Sequence, residues 1–170
     1  MRVVCLAGPS DSGKTTLVEE LVPRLAEEGR VATVKSIHHD IEIDTPGADT
    51  HRHRTAGAET VVGVTPGLTF DITARGKRDP PREPDAGFFE AADPELRALS
   101  STLTRLERRG YDVVVVEGFS AAPLPTILVG DREPEAVSGE IVGRGSENPA
   151  DLVDTILELE PLAVPETDED

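Results

Sequence analysis

The feature that most constrains the fold is the segment GPSDSGKTT, which begins at Gly8. It matches the pattern GxxxxGK[ST] from Gly8 to Thr15, with the apolar run Val3–Ala7 before it and helically spaced leucines after it. A glycine-rich loop between a strand and a helix presents backbone N–H groups and the positive end of the helix dipole to phosphate groups. The segment therefore predicts a P-loop that binds the phosphates of a nucleotide.

The P-loop pattern also predicts roles for individual side chains. Lys14 is expected to bridge the β- and γ-phosphates, and the Thr15 hydroxyl to bind Mg²⁺. Asp11 fits this site only if its carboxylate points away from the phosphates, since like charges repel. The predicted nucleotide-binding residues are Gly8, Ser10, Asp11, Ser12, Gly13, Lys14, Thr15 and Thr16.

A P-loop protein needs a second acidic group near its bound metal, at the tip of a neighbouring strand. Glu117 fits this role because it follows four consecutive valines and precedes Gly118, which would allow a close approach to the γ-phosphate. Asp112 lies at the other end of the same run, roughly 15 Å away at about 3.3 Å per residue. Glu117 is therefore the predicted metal carboxylate, and Asp112 the weaker candidate.

The order of strand and helix patterns predicts an α/β protein with the P-loop NTPase fold, in which helices flank a mainly parallel sheet. The turn residues Pro66 and Gly67 add an antiparallel hairpin to this prediction. A helix from the P-loop should end at Gly29, with Pro23 as a possible kink. The predicted strands are Val3–Ala7, Val31–Lys35, Glu59–Val64, Leu68–Ile72, the valine run before Glu117, and Leu124–Val129, and two further helices are predicted over Pro94–Arg109 and Asp151–Leu159.

Two segments read as irregular. Residues 74–93 are rich in proline, glycine and charge, which predicts a loop. Residues 161–170 combine acidic residues with proline and leave little apolar surface to bury, so a disordered tail is expected. The chain is thus predicted to be one nucleotide-binding domain over residues 1–160, followed by that tail.

The composition of the chain argues against some classes of binding partner. Acidic residues outnumber basic ones by 33 to 17, giving a net charge of −16 that repels nucleic acid. Lysine is scarce relative to arginine, a profile resembling proteins of salt-accumulating halophiles, whose self-repulsion is screened over about 3 Å at 1 M salt. No long apolar segment or signal peptide is evident, so a cytoplasmic location without membrane contact is expected. The single cysteine, Cys5, is expected to pack in a strand.

A second group of residues carries a family resemblance. The stretch VATVKSIHHDIEIDTPGADTHRHRTAGAETVV lies between GPSDSGKTTL and DVVVVEGF, and together they resemble the family of molybdopterin-guanine dinucleotide biosynthesis protein B (MobB). The resemblance extends from Met1 to about Val129. The matching positions are Lys35, His38, His39, Asp44, Gly47, Asp49, Thr50, Arg52, Ala56, Gly57 and Ala58.

The resemblance implies a GTPase-like fold, GTP as ligand with Mg²⁺ as cofactor, weak GTP hydrolysis and a homodimer. It also implies a role in molybdenum cofactor biosynthesis, assisting the partner enzyme that attaches GMP to molybdopterin. The chain departs from the family pattern at Ser36, where histidine is common, and at Ser120, where lysine is usual. Because no NKxD guanine motif occurs in the sequence, the preference for guanine rests on the resemblance alone.

Histidines and aspartates are densest between His38 and His53. We interpret this segment as a loop beside the γ-phosphate in which Asp44 or Asp49 assists Mg²⁺. A transition-metal site is the alternative, since imidazoles and carboxylates suit Ni²⁺ or Zn²⁺, although two histidines spaced two residues apart point to different faces of a helix. The candidates for binding an anion or partner are Lys35, His38, His39, Arg52 and Arg54.

Two other functions remain open at this stage. A nickel-insertion GTPase would use the histidines, but the chain lacks a cysteine pair. A small-molecule kinase would need a lid rich in basic residues. Such a lid could be supplied by Arg75, Lys77, Arg78 and Arg82.

Overall fold

The computed structural model of the chain describes residues 1–80, 88 and 93–163. A short 3-10 helix lies at Pro134–Ala136. The other elements of the described residues are β1 (Arg2–Ala7), α1 (Lys14–Glu28), β2 (Val31–Lys35), α2 (Asp49–Thr55), β3 (Thr60–Val64), β4 (Thr69–Thr73), α3 (Pro94–Arg108), β5 (Val113–Glu117), β6 (Thr126–Leu128), β7 (Ile141–Arg144) and α4 (Pro149–Glu158).

The central sheet contains five described strands in the order β2-β5-β1-β6-β7, and all neighbouring pairs are parallel. Runs such as VVVVE form its interior because β-branched side chains pack well when both faces of a sheet are covered. Leu6 pairs with Glu117, which in turn pairs with Lys35. The carboxyl ends of the three strands therefore meet at the edge where the P-loop begins.

Helices cover both faces of this sheet, as predicted. On one face, α1 and α4 bury an apolar cluster against β1 and β5, and Leu21 and Leu25 of α1 are completely buried there. On the other face, α3 packs Leu99 and Leu103 against the alternate residues of the same strands. Residues of one strand thus point alternately into two cores, and α1 connects one core directly to the P-loop.

The predicted antiparallel hairpin is confirmed as β3 and β4, each starting one residue later than expected. Its turn is closed by Thr65, whose Oγ1 accepts a hydrogen bond of 2.9 Å from the backbone N–H of Leu68. One face of the hairpin leaves Val62 and Val64 exposed, whereas Val61 on the other face is buried.

Two elements escaped prediction, α2 and β7. Helix α2 buries none of its residues, so it has no apolar periodicity for a sequence pattern to detect. Strand β7 is an edge strand in which no residue is fully buried, and the predicted strand Leu124–Val129 is shortened to β6. Pro23 lies inside α1, which runs without interruption to Glu28 and ends before Gly29 as expected.

Parts of two predicted segments lie outside the described residues. The predicted loop 74–93 is described only over 74–80, 88 and 93, and Arg82 falls outside it. Of the predicted tail, residues 164–170 are also outside, whereas residues 161–163 are described. The backbone N–H of Leu162 donates to the carbonyl of Met1 at 2.9 Å, and its side chain packs on the second core. The start of the predicted tail is therefore bound to the protein.

Candidate functional site

The P-loop connects the end of β1 to the first residue of α1. Gly13 has a φ of 92°, a left-handed conformation that glycine adopts without strain, and it caps the helix. Asp11 also has a positive φ, 58°, and is exposed. The backbone thus curls back on itself before α1 starts, which is the loop shape that the sequence pattern predicts.

At Gly8 a glycine is needed because neighbouring atoms lie too close to leave room for a side chain. A Cβ atom at Gly8 would lie 2.3 Å from the carbonyl oxygen of Val129 and 2.6 Å from Oγ of Ser12. Gly130 also lies close to the loop, since a Cβ there would lie 2.9 Å from Cβ of Ser12. The P-loop therefore rests directly on the segment that follows β6.

Lys14 lies over the loop that precedes it. Its ammonium donates hydrogen bonds to the carbonyl oxygens of Gly8 at 2.9 Å and Pro9 at 2.5 Å. These contacts hold the positive charge at the centre of the P-loop, where the phosphates of a nucleotide would lie.

Glu117 lies at the tip of β5 and is only 8% exposed. The Thr15 hydroxyl lies 3.3 Å from both of its carboxylate oxygens, and Nζ of Lys35 lies 2.5 Å from one of them. Hydroxyl and carboxylate oxygens are hard donors of the kind that Mg²⁺ prefers, so Thr15 and Glu117 fit that ion. Asp112 lies at the opposite end of the strand, where it accepts a hydrogen bond of 2.7 Å from the N–H of Arg30.

A cavity of about 880 Å³ opens above the P-loop. Three cations, Lys14, Lys35 and Arg132, and two carboxylates, Asp11 and Glu117, line it, so its lining carries an excess of positive charge although the chain has a net charge of −16. Such an excess in a cleft attracts anionic ligands. The cavity is lined by Gly8, Pro9, Ser10, Asp11, Ser12, Gly13, Lys14, Thr15, Thr16, Lys35, Ser36, Ile37, His38, His39, Glu117, Gly118, Ser120 and Arg132.

All eight predicted nucleotide-binding residues, together with Lys35, His38, His39 and Glu117, thus face one cavity. Four other predicted site residues do not line it: Asp44, Asp49, Arg52 and Arg54. The structure does not bring Asp44 or Asp49 to Thr15 and Glu117, and their proposed assistance to Mg²⁺ stays a prediction.

Two of these residues, Asp44 and Arg54, instead join the 37–48 loop to α2. Asp44 accepts hydrogen bonds from the Thr50 hydroxyl at 3.0 Å and the Thr45 N–H at 2.8 Å. Arg54 lies 2.6 Å from the Glu42 carboxylate, and this hydrogen bond is the main reason that the pKa of Glu42 is lowered. Asp49 and Arg52 form an exposed pair at 3.5 Å. Asp44 and Arg54 thus fix the local loop structure.

Ser36, one of the departures from the family pattern, belongs to a polar cluster behind the cavity. Its hydroxyl donates to Glu95 at 2.8 Å, and Lys77 donates to both Ser36 and Glu95. Burial raises the pKa of Glu95, but the hydrogen bonds from Lys77 and Ser36 outweigh it and hold that pKa below its usual value. Lys77 also lies over the ring of Phe119 at 5.4 Å, so this cluster joins the segments that follow β2 and β5 to the start of α3.

The residues named for the alternative functions were located in the structure as far as it describes them. Among residues 1–80, 88 and 93–163, no group of three or more His, Cys, Asp or Glu side chains is arranged to hold a metal ion. The three basic residues of the predicted kinase lid that the structure describes form ion pairs: Arg75 with Glu59, Lys77 with Glu95 and Arg78 with Asp40.

Other sequence expectations concern location and Cys5. No helix of the described part of the chain is long and apolar enough to cross a membrane.

Cys5 is buried in β1, and burial raises the pKa of its thiol to about 11. The thiol is therefore protonated at neutral pH, in agreement with a packing role.

The comparison with known protein families is decisive for identity. Residues 3–138 match the family described as molybdopterin guanine dinucleotide synthesis protein B. The chain belongs to the MobB family. The residues that carried the resemblance therefore identified the family correctly.

Curated relatives agree with this assignment. The chain is 33% identical over 129 residues to the molybdopterin-guanine dinucleotide biosynthesis adapter protein of Haemophilus influenzae, covering 75% of this chain and 62% of that protein. It is 28% identical over 164 residues to the Escherichia coli protein of the same name, covering 92% and 85%. The chain thus spans less than two thirds of the Haemophilus relative and most of the Escherichia one.

Solved structures of MobB proteins show the same fold. The crystal structure of Bacillus subtilis MobB superposes with a TM-score of 0.60 at 19% identity, over 92% of this chain and 96% of that one. A crystal structure of molybdopterin-guanine biosynthesis protein B gives a TM-score of 0.57 at 22% identity, over 91% and 97%. The predicted P-loop fold with a mainly parallel sheet is therefore confirmed.

Proposed function

We propose that this MobB-family chain is a GTP-binding accessory protein in the biosynthesis of molybdopterin guanine dinucleotide, with weak GTPase activity. The observation that carries the proposal is the family match over residues 3–138, and the relatives from Haemophilus and Escherichia are named adapter proteins of that biosynthesis. The partner would be the enzyme that attaches GMP to molybdopterin. A cytoplasmic location follows from that role.

Different groups of the site would bind the phosphates and the metal ion of a nucleotide. Backbone N–H groups of the P-loop and the Lys14 ammonium would bind the phosphates, while Thr15 and Glu117 would hold Mg²⁺, which neutralises charge on the β- and γ-phosphates. Glu117 is also hydrogen-bonded through its carbonyl to the N–H of Ser36 at 2.8 Å. The loop that begins at Ser36 is therefore attached to the metal end of the site, where it would report the nucleotide state to a partner.

We also propose a homodimer. The hairpin β3–β4 supports this, because Val62, Val64 and Leu68 are 57%, 77% and 61% exposed. Adjacent exposed apolar side chains of this kind favour protein contacts. Sedimentation velocity of the full chain distinguishes a dimer from a monomer.

Genetic complementation tests the proposed pathway. In a salt-accumulating host that lacks its own copy, the chain should restore activity of an enzyme that requires molybdopterin guanine dinucleotide, and its Lys14→Ala variant should not. Such a host is chosen because an acidic surface is adapted to high salt. If the deletion leaves molybdenum enzymes fully active, or if the chain restores a nickel enzyme instead, the proposed pathway is wrong.

Glu117→Gln tests the metal carboxylate. Because an amide binds Mg²⁺ much more weakly than a carboxylate, the variant should lose most of the Mg²⁺ dependence of GTP binding while metal-free binding stays similar. Titration of GTP with and without Mg²⁺ measures this. Asp112→Asn is the matched control at the opposite end of β5, and a larger loss in that variant would reverse the two assignments.

A further inference from the structure

Arg132 faces the cavity from the segment after β6, and its guanidinium is only partly satisfied. Nη2 donates to the carbonyl oxygen of Ala136 at 3.0 Å. Nε is buried and has no hydrogen-bond partner among the described residues, and no described carboxylate forms an ion pair with this side chain. Arginine carries five N–H donors. The buried Nε does not reach the cavity, so the donors that remain for a ligand are those of Nη1 and the second N–H of Nη2.

The strand order places Arg132 at a defined end of the cavity. β1 carries the P-loop between β5 on one side and β6 on the other. Glu117 and Lys35 lie on the β5 side, so the β- and γ-phosphates and their metal belong there. Arg132 lies on the β6 side, where Gly130 touches the P-loop through Ser12. A nucleotide with its terminal phosphates at Glu117 would then place its nucleoside on the β6 side of the cavity, which Arg132 lines.

We propose that Arg132 recognises the guanine base by donating hydrogen bonds to its O6 and N7. Guanine presents these two acceptors side by side, and a guanidinium is the side chain that pairs with them most often, whereas adenine replaces O6 with a donor amino group. This inference rests on the proposed GTP binding and supplies the base selectivity. It offers a source of guanine preference in a chain whose sequence contains no NKxD motif.

Three nucleoside diphosphates test the proposal by calorimetry with the full chain in high salt. GDP and IDP both carry O6 and N7, whereas ADP does not carry O6. The unmodified chain should prefer GDP and IDP over ADP. Arg132→Met should weaken GDP and IDP equally, by about 5- to 150-fold, with ADP affinity unchanged. Arg132→Gln should weaken GDP and IDP similarly but bind ADP more tightly than Arg132→Met does, because glutamine pairs with adenine N6 and N7.

A matched control comes from Arg24, an exposed arginine on α1, since Arg24→Ala removes the same charge without touching the cavity. An equal loss for all three nucleotides in Arg132→Met would overturn the proposal, because it would place the guanidinium on phosphate, on ribose or against the face of any base. Unchanged GDP affinity would overturn it as well. If the unmodified chain binds GDP but prefers ADP, only the base assignment fails, whereas binding of none of the three contradicts the proposed GTP binding itself.

Discussion

Lys14→Ala should bind GTP roughly 10- to 100-fold more weakly than the unmodified chain, equivalent to about 1.5 to 3 kcal/mol, the range for a hydrogen bond to a charged group. The ammonium lies over the P-loop carbonyls of Gly8 and Pro9, and its removal leaves the phosphates without their central cation. Titration calorimetry with GTP and Mg²⁺ measures the loss. The fold should survive, because Lys14 is the first residue of α1 and contributes nothing to the two cores.

Arg24→Ala serves as the control here too, since it removes a positive charge from the same helix at an exposed position. It should bind GTP as the unmodified chain does. If Lys14→Ala keeps full affinity for GTP while its circular dichroism is unchanged, the phosphates bind elsewhere, and the assignment of the P-loop as the nucleotide site is wrong.

Leu21→Ala should lower the free energy of unfolding by about 2 to 5 kcal/mol, the range for buried leucines. Leu21 is completely buried between α1 and the sheet, so truncation removes apolar burial and leaves a cavity. Chemical denaturation at constant high salt measures the change. The expected change in the free energy of unfolding is larger than the change in binding free energy expected for Lys14→Ala. Because Leu21→Ala destabilises the whole fold and does not alter the site, the variant should bind less nucleotide only to the extent that less protein is folded.

Ile43→Ala is the control, because a similar aliphatic truncation falls on a side chain that is 65% exposed and lies outside the hairpin proposed for the dimer. Exposed substitutions usually stay within about 0.5 kcal/mol. Equal destabilisation by the two variants would mean that α1 does not pack on the core as described.

The parts of the fold that sequence predicted well are those with a strong physical signal. The valines of β5 are buried on both faces and form a continuous apolar run, and α3 combines a helical apolar stripe with an Asp93 cap that accepts from Glu95 and Leu96. Helix α2 was missed because polar contacts such as Arg54–Glu42 hold it in place of buried side chains. Such contacts join residues 12 positions apart in the sequence and produce no periodic pattern of apolar residues.

The candidate site divides in the same way. The P-loop residues were predictable because their spacing follows from one local backbone shape. Glu117 was predictable because a parallel strand carries its last residue to the same edge as β1. Arg132 was not, because its place beside the P-loop depends on the position of β6 in the sheet, and a lone arginine in the segment GDREPE has no motif to mark it.

The contact between the P-loop and the segment after β6 has an evolutionary consequence. A Cβ at Gly8 would clash with the Val129 carbonyl, and one at Gly130 would clash with Ser12. Substitutions that change the backbone position of one segment therefore require a change in the other. Residues in contact show non-additive substitution effects of about 0.5 to 3 kcal/mol. Epistasis should therefore link the two segments: a lineage that remodels the segment bearing Arg132 must find compensating changes in its phosphate loop.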